Sequence, residues 1–290
     1  MKRVLLVVLI VLAVAAAAAW VLRAPGVEAP AYLGSPPPRV IAHRGASGHA
    51  PGNTLEAFRL AVEMGADILE MDLQLTADGR VVVIHDDTVD GATDGSGAVS
   101  DLTLAEVKAL DAGYRFERPA GEFPFRNAGV AIPTLEEVLE AFPGIPLNLE
   151  MKTPAGPRIA AALADVLRRH QAGDRVLIAS FSSEILERFR ELMPGVATSL
   201  AESEVRTFYL LHRALLDRWY RSPGVAVQVP ERAGGIHVVT TSFIAAARRL
   251  GLKVHVWTVN DPVDMRRLVD LGVDGIITDY PDRLTAVLRR

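Results

Sequence analysis

The 290-residue chain contains no cysteine. That excludes disulfides, thiolate metal ligands and a cysteine nucleophile. It leaves the compartment open, because a cysteine-free chain tolerates oxidising and reducing surroundings alike. There is no surplus of positive charge either. Thirty-one Lys and Arg stand against 35 Asp and Glu, a formal net charge of -4, so no basic surface argues for nucleic acid. No internal repeat is evident. What the chain does have is apolar mass: half of its residues are hydrophobic, enough to bury a large core in one domain or two.

The N-terminus is distinct from the rest. Met1-Lys2-Arg3 precedes an uncharged apolar run from Val4 to Leu22, closed by Arg23. The run reaches the ~20 residues that span a bilayer as a helix. It continues through Trp20-Val21-Leu22 beyond Ala15–Ala19, and Trp suits a membrane interface. Residues 1–23 are therefore expected to be an uncleaved anchor with Lys2 and Arg3 on the cytoplasmic side. The chain would then be single-pass and membrane-anchored, with its globular part extracytoplasmic. The alternative is a signal peptide cleaved near the alanines, giving a secreted protein. Residues 24–38, with Pro25, Pro30 and Pro36-Pro37-Pro38, read as an extended linker. Residues 39–290 form the globular domain.

Within that domain, apolar strand-like runs alternate with helical patterns. The parallel strands are expected to begin near 40, 67, 146, 176, 196, 225, 254 and 274. This alternation predicts an α/β fold, a (β/α)8 TIM barrel, over a doubly wound open sheet. A hairpin is inserted after the second strand. Asp67–Asp72 and Val81–His85 flank Thr76-Ala77-Asp78-Gly79, and Asp-Gly between β-rich runs is a hairpin signal. With Leu75 facing Arg80, His85 is expected opposite Glu70, and Asp72 shares the face of Glu70.

Barrel active sites lie at the C-terminal ends of the strands. The first strand ends in His43 and Arg44. The second carries Glu70 and Asp72, and the hairpin returns His85. The strand near 146 carries Glu150 and Lys152, and that near 254 ends in Trp257 and Asn260. Three carboxylates make an oxygen-rich site for a hard divalent cation, Mg²⁺ or Ca²⁺. Arg44 and Lys152 suit phosphate. Two histidines can exchange protons near neutral pH.

These residues resemble a known family. His43-Arg44-Gly45, Pro51-Gly52-Asn53-Thr54-Leu55-Glu56-Ala57-Phe58, Glu70-Met71-Asp72 and His85-Asp86-Asp87 are similar to glycerophosphodiester phosphodiesterases. So are Asn148-Leu149-Glu150-Met151-Lys152, Trp257-Thr258-Val259-Asn260 and Gly275-Ile276-Ile277-Thr278-Asp279. The resemblance implies a metal-dependent barrel enzyme that hydrolyses glycerophosphodiesters to glycerol phosphate and an alcohol. It implies His43 and His85 as the acid/base pair, and Glu70, Asp72 and Glu150 as metal ligands. Arg44 and Lys152 would bind phosphate, with Trp257 as a further substrate contact. The sequence departs from the family at Gly52, often glutamate, and at Asp90-Gly91-Ala92-Thr93, where an arginine often precedes the threonine. A lysophospholipid substrate is the alternative within the enzymes. A non-catalytic domain that binds lipid headgroups is the alternative outside them.

The segment Val205–Arg221 is expected to be one helix with Phe208, Leu211, Leu215 and Trp219 on one face. It fits an outer barrel helix, or an amphipathic lid at a membrane interface.

Overall fold

The computed structural model describes residues 28–34, 38–119 and 121–289. The expected anchor over residues 1–23 lies outside the described residues. Among the described residues no helix is long and apolar enough to cross a membrane.

Strands β1 (Arg39–Ala42), β2 (Ile68–Leu75), β4 (Leu147–Met151), β5 (Val176–Ala179) and β6 (Ala197–Thr198) form one parallel succession. On the other side of β1 the order continues through β11 (Gly275–Thr278), β10 (Lys253–Trp257) and β7 (Ala226–Pro230). A parallel bridge from Ser199 to Ala226 closes the ring, with Val225 N–H on Thr198 O at 2.8 Å. The eight-stranded barrel expected from the alternation is therefore present. Strand β3 (Val81–Val83) is the inserted hairpin arm, and β8 (Arg232–Ala233) with β9 (Ile236–His237) makes a small second hairpin after β7.

Nine helices are described: α1 (Leu55–Glu63), α2 (Leu104–Lys108), α3 (Leu135–Ala141), α4 (Arg158–Arg169), α5 (Ser183–Leu192), α6 (Glu202–Arg213), α7 (Thr241–Arg249), α8 (Pro262–Leu271) and α9 (Pro281–Leu288). Threonine starts several of them. Thr54 caps α1, and Thr103 and Thr134 form capping boxes with Glu106 and Glu137, satisfying amide groups that a helix start leaves open. The strands bury both faces. On β2, Leu69, Met71 and Leu73 pack outward with Phe58, Leu163 and Phe189 in the helix layer. Glu70, Asp72 and Gln74 alternate with them and are equally buried, so they share the other face.

Three local expectations are corrected. The hairpin pairs Leu75 with Val81, not Arg80. The connection is Ala77–Gly79, with Thr76 N–H on Arg80 O and Gly79 at φ 74°. That is a three-residue loop with a left-handed glycine, one residue shorter than expected. A one-residue slip reverses every facing, and β3 stops at Val83, so His85 is not a cross-strand partner of Glu70.

The second correction concerns Val205–Arg221. Helix α6 ends at Arg213. Leu215 then takes φ 60°, a left-handed conformation that costs a Cβ-bearing residue roughly 1–2 kcal/mol. A 3₁₀ turn, Asp217–Trp219, follows. The chain folds back so that the Tyr220 ring lies 5.5 Å from that of Phe208 and its hydroxyl donates to Glu204 O. Phe208 is core, as an outer barrel helix requires. Leu215 and Trp219 are not on that face: they stand 80% and 57% exposed.

The third concerns the linker, which is not extended throughout. Ala31–Leu33 form a 3₁₀ turn that closes the strand-start end of the barrel. Leu33 is fully buried with Ile41, Ile68, Leu177 and Ile277. His255, buried on β10, donates Nε2–H to Leu33 O at 2.8 Å.

Candidate active site

The opposite, C-terminal end of the strands opens into a cavity of about 560 Å³. His43, Arg44, Glu70, Asp72, His85, Glu150, Lys152 and Trp257 all line it, so every residue expected to act on substrate or metal is brought to one place, while Asn260 bonds Asp279 instead.

The carboxylates sit in register: Asp72 pairs with Glu150 and Glu70 with Asn148 across β2 and β4. One ligand oxygen each from Glu70, Asp72 and Glu150 lie within 4.8 Å of one another. Asp72 is the hub. Its Oδ2 accepts from Asn53 Nδ2 at 2.8 Å and meets Arg44 Nε at 3.1 Å; its Oδ1 meets Lys152 Nζ at 2.9 Å. Lys152 also reaches Glu150 Oε1 at 2.6 Å. Glu70 Oε2 accepts the Arg44 amide at 2.8 Å. Both cations expected to meet phosphate are thus turned onto Asp72.

Burial and the charge of Asp72 push the Glu70 carboxyl far above the usual carboxylate range. Burial also raises Glu150, against the pull of Lys152. For Asp72 burial is outweighed by Lys152 and Arg44, and its carboxyl is held down. Buried like charges at this separation resist ionising together. A hard cation would relieve that repulsion, and an all-oxygen donor set suits one. The residues fit a divalent ion.

Local backbone strain serves the cluster. Arg44, Gly45 and Asn53 all have positive φ. A Cβ on Gly45 would lie 2.7 Å from the Ala57 carbonyl oxygen, so only glycine fits there. Asn53, a residue tolerant of this conformation, answers Asp72 twice: its amide donates to the carboxylate and its Oδ1 accepts the Asp72 N–H at 3.2 Å. At Gly52 a Cβ would meet those of Arg44 and Ser47 at 3.2 Å each. The departure from the family pattern therefore falls in a tight spot beside Arg44.

The two histidines are held differently. His43 Nδ1 lies 2.7 Å from Asp279 Oδ1. Ser47 Oγ donates to the same oxygen, and Asn260 Nδ2 donates to Asp279 Oδ2 at 2.6 Å. Burial opposes a charge on His43, but the Asp279 bond and the Glu70 charge outweigh it and raise its pKa. Burial likewise opposes the Asp279 carboxylate, yet the bonds from His43 and Ser47 hold it down to about 2. His85 is more open and pairs through Nδ1 with Asp86 Oδ1 at 2.6 Å. It reaches the site because Ile84 N–H bonds Asp72 O and the Gln74 amide holds the carbonyls of His85 and Asp86.

Asp279, Ser47 and Gln74 have no role in the sequence reading. Asp279 lies 236 residues from His43. The available signal is topological: Ala42 pairs with Thr278, so the next residue of each strand end must meet when the barrel closes. Gln74 continues the i, i+2 series of Glu70 and Asp72.

The other wall of the cavity is apolar. Phe181, Leu200, Tyr209, Val229, Ile236 and Trp257 line it, with Phe181 edge-on to Trp257 at 6.1 Å.

Fold and site define a (β/α)8-barrel enzyme with its polar centre at the ends of β1, β2 and β4. The family model described as the glycerophosphoryl diester phosphodiesterase family matches residues 43–283, and the chain belongs to that family. It is 37% identical to a glycerophosphodiester phosphodiesterase of Caldanaerobacter subterraneus, over 87% of this chain and 98% of that one. A human lysophospholipase D is 27% identical over 84% of each chain. Among solved structures, an Oleispira antarctica phosphodiesterase in complex with the product sn-glycerol-3-phosphate superposes with a TM-score of 0.73. It shares 30% identity over 87% of this chain and 97% of that one.

Proposed function

We propose that the cavity hydrolyses glycerophosphodiesters to glycerol 3-phosphate and an alcohol. The observation that carries this reading is the gathering of three carboxylates, two histidines and two cations in one cavity of a chain with this family membership. Glu70, Asp72 and Glu150 would hold the divalent ion, Mg²⁺ or Ca²⁺. Bound there, the ion supplies charge stabilisation for phosphoryl oxygens. Arg44 and Lys152 add fixed positive charge beside them. The neighbouring hydroxyl of the substrate glycerol attacks phosphorus and expels the alcohol, giving a cyclic phosphate that water opens. Carrying the nucleophile within the substrate supplies proximity. One of His43 and His85 takes the hydroxyl proton, and the other protonates the leaving alkoxide. Asp279 holds the ring of His43, and Trp257 walls the substrate.

The apolar wall supports a second reading, in which the substrate is a lysophospholipid and the product lysophosphatidic acid. Both are tested by one panel of glycerophosphocholine, glycerophosphoethanolamine and lysophosphatidylcholine, with Mg²⁺ or Ca²⁺ supplied. Glycerol 3-phosphate from the soluble diesters is the expected result. Release of lysophosphatidic acid alone would select the second reading, and no product from any of them would leave only a headgroup-binding domain.

A further inference from the structure

We propose that the segment from Leu210 to Trp219 is a docking surface for an anionic lipid bilayer, beside the mouth of the cavity. Four of the seven large apolar side chains that stand exposed among the described residues fall within these ten: Leu210, Leu215, Leu216 and Trp219. Leu210 and Leu215 are 67% and 80% exposed. Single exposed apolar residues are ordinary, whereas a contiguous cluster marks an interaction site. Leu215 is held outward at the left-handed corner where α6 ends.

Charge identifies the occupant. The chain as a whole is acidic, yet from Val205 to Arg221 it carries Arg206, Arg213, Arg218 and Arg221 against one acid, Asp217. That acid is buried and bonded to Arg249 at 2.6 Å. Arg206 pairs with Glu202, while Arg213 and Arg218 stand exposed beside the leucines. Leucine and tryptophan at the tip with arginine around them match the headgroup layer of an anionic bilayer. A second copy of this chain is disfavoured, because a two-fold contact would set the arginines against their own counterparts. The same helix joins surface and site: Val205, Arg206 and Tyr209 line the cavity, and Leu210 follows directly.

The test is hydrogen–deuterium exchange on the full chain, alone, with phosphatidylcholine vesicles, and with vesicles containing one-third phosphatidylglycerol. Peptides covering 208–221 are expected to exchange at least fivefold more slowly with the phosphatidylglycerol vesicles, and high salt should remove the effect. Leu210→Asp with Leu215→Asp should abolish it, as should Arg213→Glu with Arg218→Glu. Turnover of glycerophosphocholine should be unchanged in both, which also reports that they fold. Unchanged exchange over 208–221 in the wild type overturns the proposal, even if the protein binds vesicles through residues 1–23. So does protection that grows with protein concentration in the absence of lipid, which would identify a second copy.

Discussion

His43 Nδ1 and Asp279 Oδ1 lie 2.7 Å apart where the first and last strands of the barrel meet. The pair closes the ring chemically as well as topologically. Asp279 is itself fixed by Ser47 and Asn260, so the imidazole is held through Nδ1, and Nε2 is the nitrogen that the proposed acid/base role requires.

Replacing Asp279 by Asn should therefore reduce kcat by at least tenfold. Loss of a carboxylate that fixes the tautomer of a working histidine can cost up to about 10⁴. The change should also be visible in stability, with a defined pH dependence. Asp279 is held low, so its contribution is present above the ordinary carboxylate pKa and lost as pH falls toward about 2. His43 is raised, so its contribution is present below its ordinary pKa and lost as pH rises through its folded value. The ion pair is complete between about pH 4 and pH 6.5. Calorimetry should show Asp279→Asn destabilised by about 1–2 kcal/mol at pH 5.5, and by less at pH 9. An equal loss at both pH values would contradict the pair.

His43→Ala and His85→Ala should each lower kcat by about 10²–10⁴, the usual worth of general acid/base help. His85 is partly exposed and, among the described residues, its imidazole bonds only Asp86, so its removal should leave Tm within a few degrees of wild type. Near-normal turnover in both variants would remove the acid/base assignment.

Exhaustive chelation should silence the enzyme, and Mg²⁺ or Ca²⁺ should restore it. A readout independent of activity is Tm, which should rise with added cation, because an ion bound to the native state stabilises it. Glu70→Gln should abolish that rise. A Tm indifferent to the cation, with activity surviving chelation, would show that Glu70, Asp72 and Glu150 do not form a metal site.

Leu33→Ala tests the closed end of the barrel. Leu33 is fully buried, and removing a core leucine costs about 2–5 kcal/mol. The variant should unfold at lower denaturant while its kcat is unchanged, since the substitution is at the strand starts and the cavity at the strand ends. A stability equal to wild type would mean that the 31–33 turn contributes nothing to the barrel.

The barrel was legible because each parallel strand is a short apolar run followed by a helical period, and the eight expected starts all hold. The candidate site was legible because barrel geometry sends strand-end residues to one face, so that His43, Glu70, Asp72 and Glu150 meet whatever their spacing, while the hairpin, tied to Asp72 and Gln74, brings His85 to them. What failed was local. The hairpin register turned on whether Thr76 belongs to the loop, and Thr76 pairs with Arg80. The helix expected to reach Arg221 ends at Arg213, where periodicity gives no sign of the corner at Leu215. The Leu33 plug was hidden among prolines, because burial by distant strands leaves no local pattern. Asp279 ends the Gly275–Asp279 run, but nothing in the sequence assigns it a partner, since only closure of the barrel brings it to His43.

The most direct test of the account is hydrolysis of glycerophosphocholine in H₂¹⁸O with Mg²⁺ or Ca²⁺ supplied, followed by mass spectrometry of both products. Cleavage at phosphorus places one heavy oxygen in the phosphate of glycerol 3-phosphate and none in choline, with His43→Ala and His85→Ala reducing the labelled product by at least a hundredfold. Heavy oxygen in choline, or no glycerol 3-phosphate under any cation condition, would contradict phosphodiester hydrolysis in this cavity.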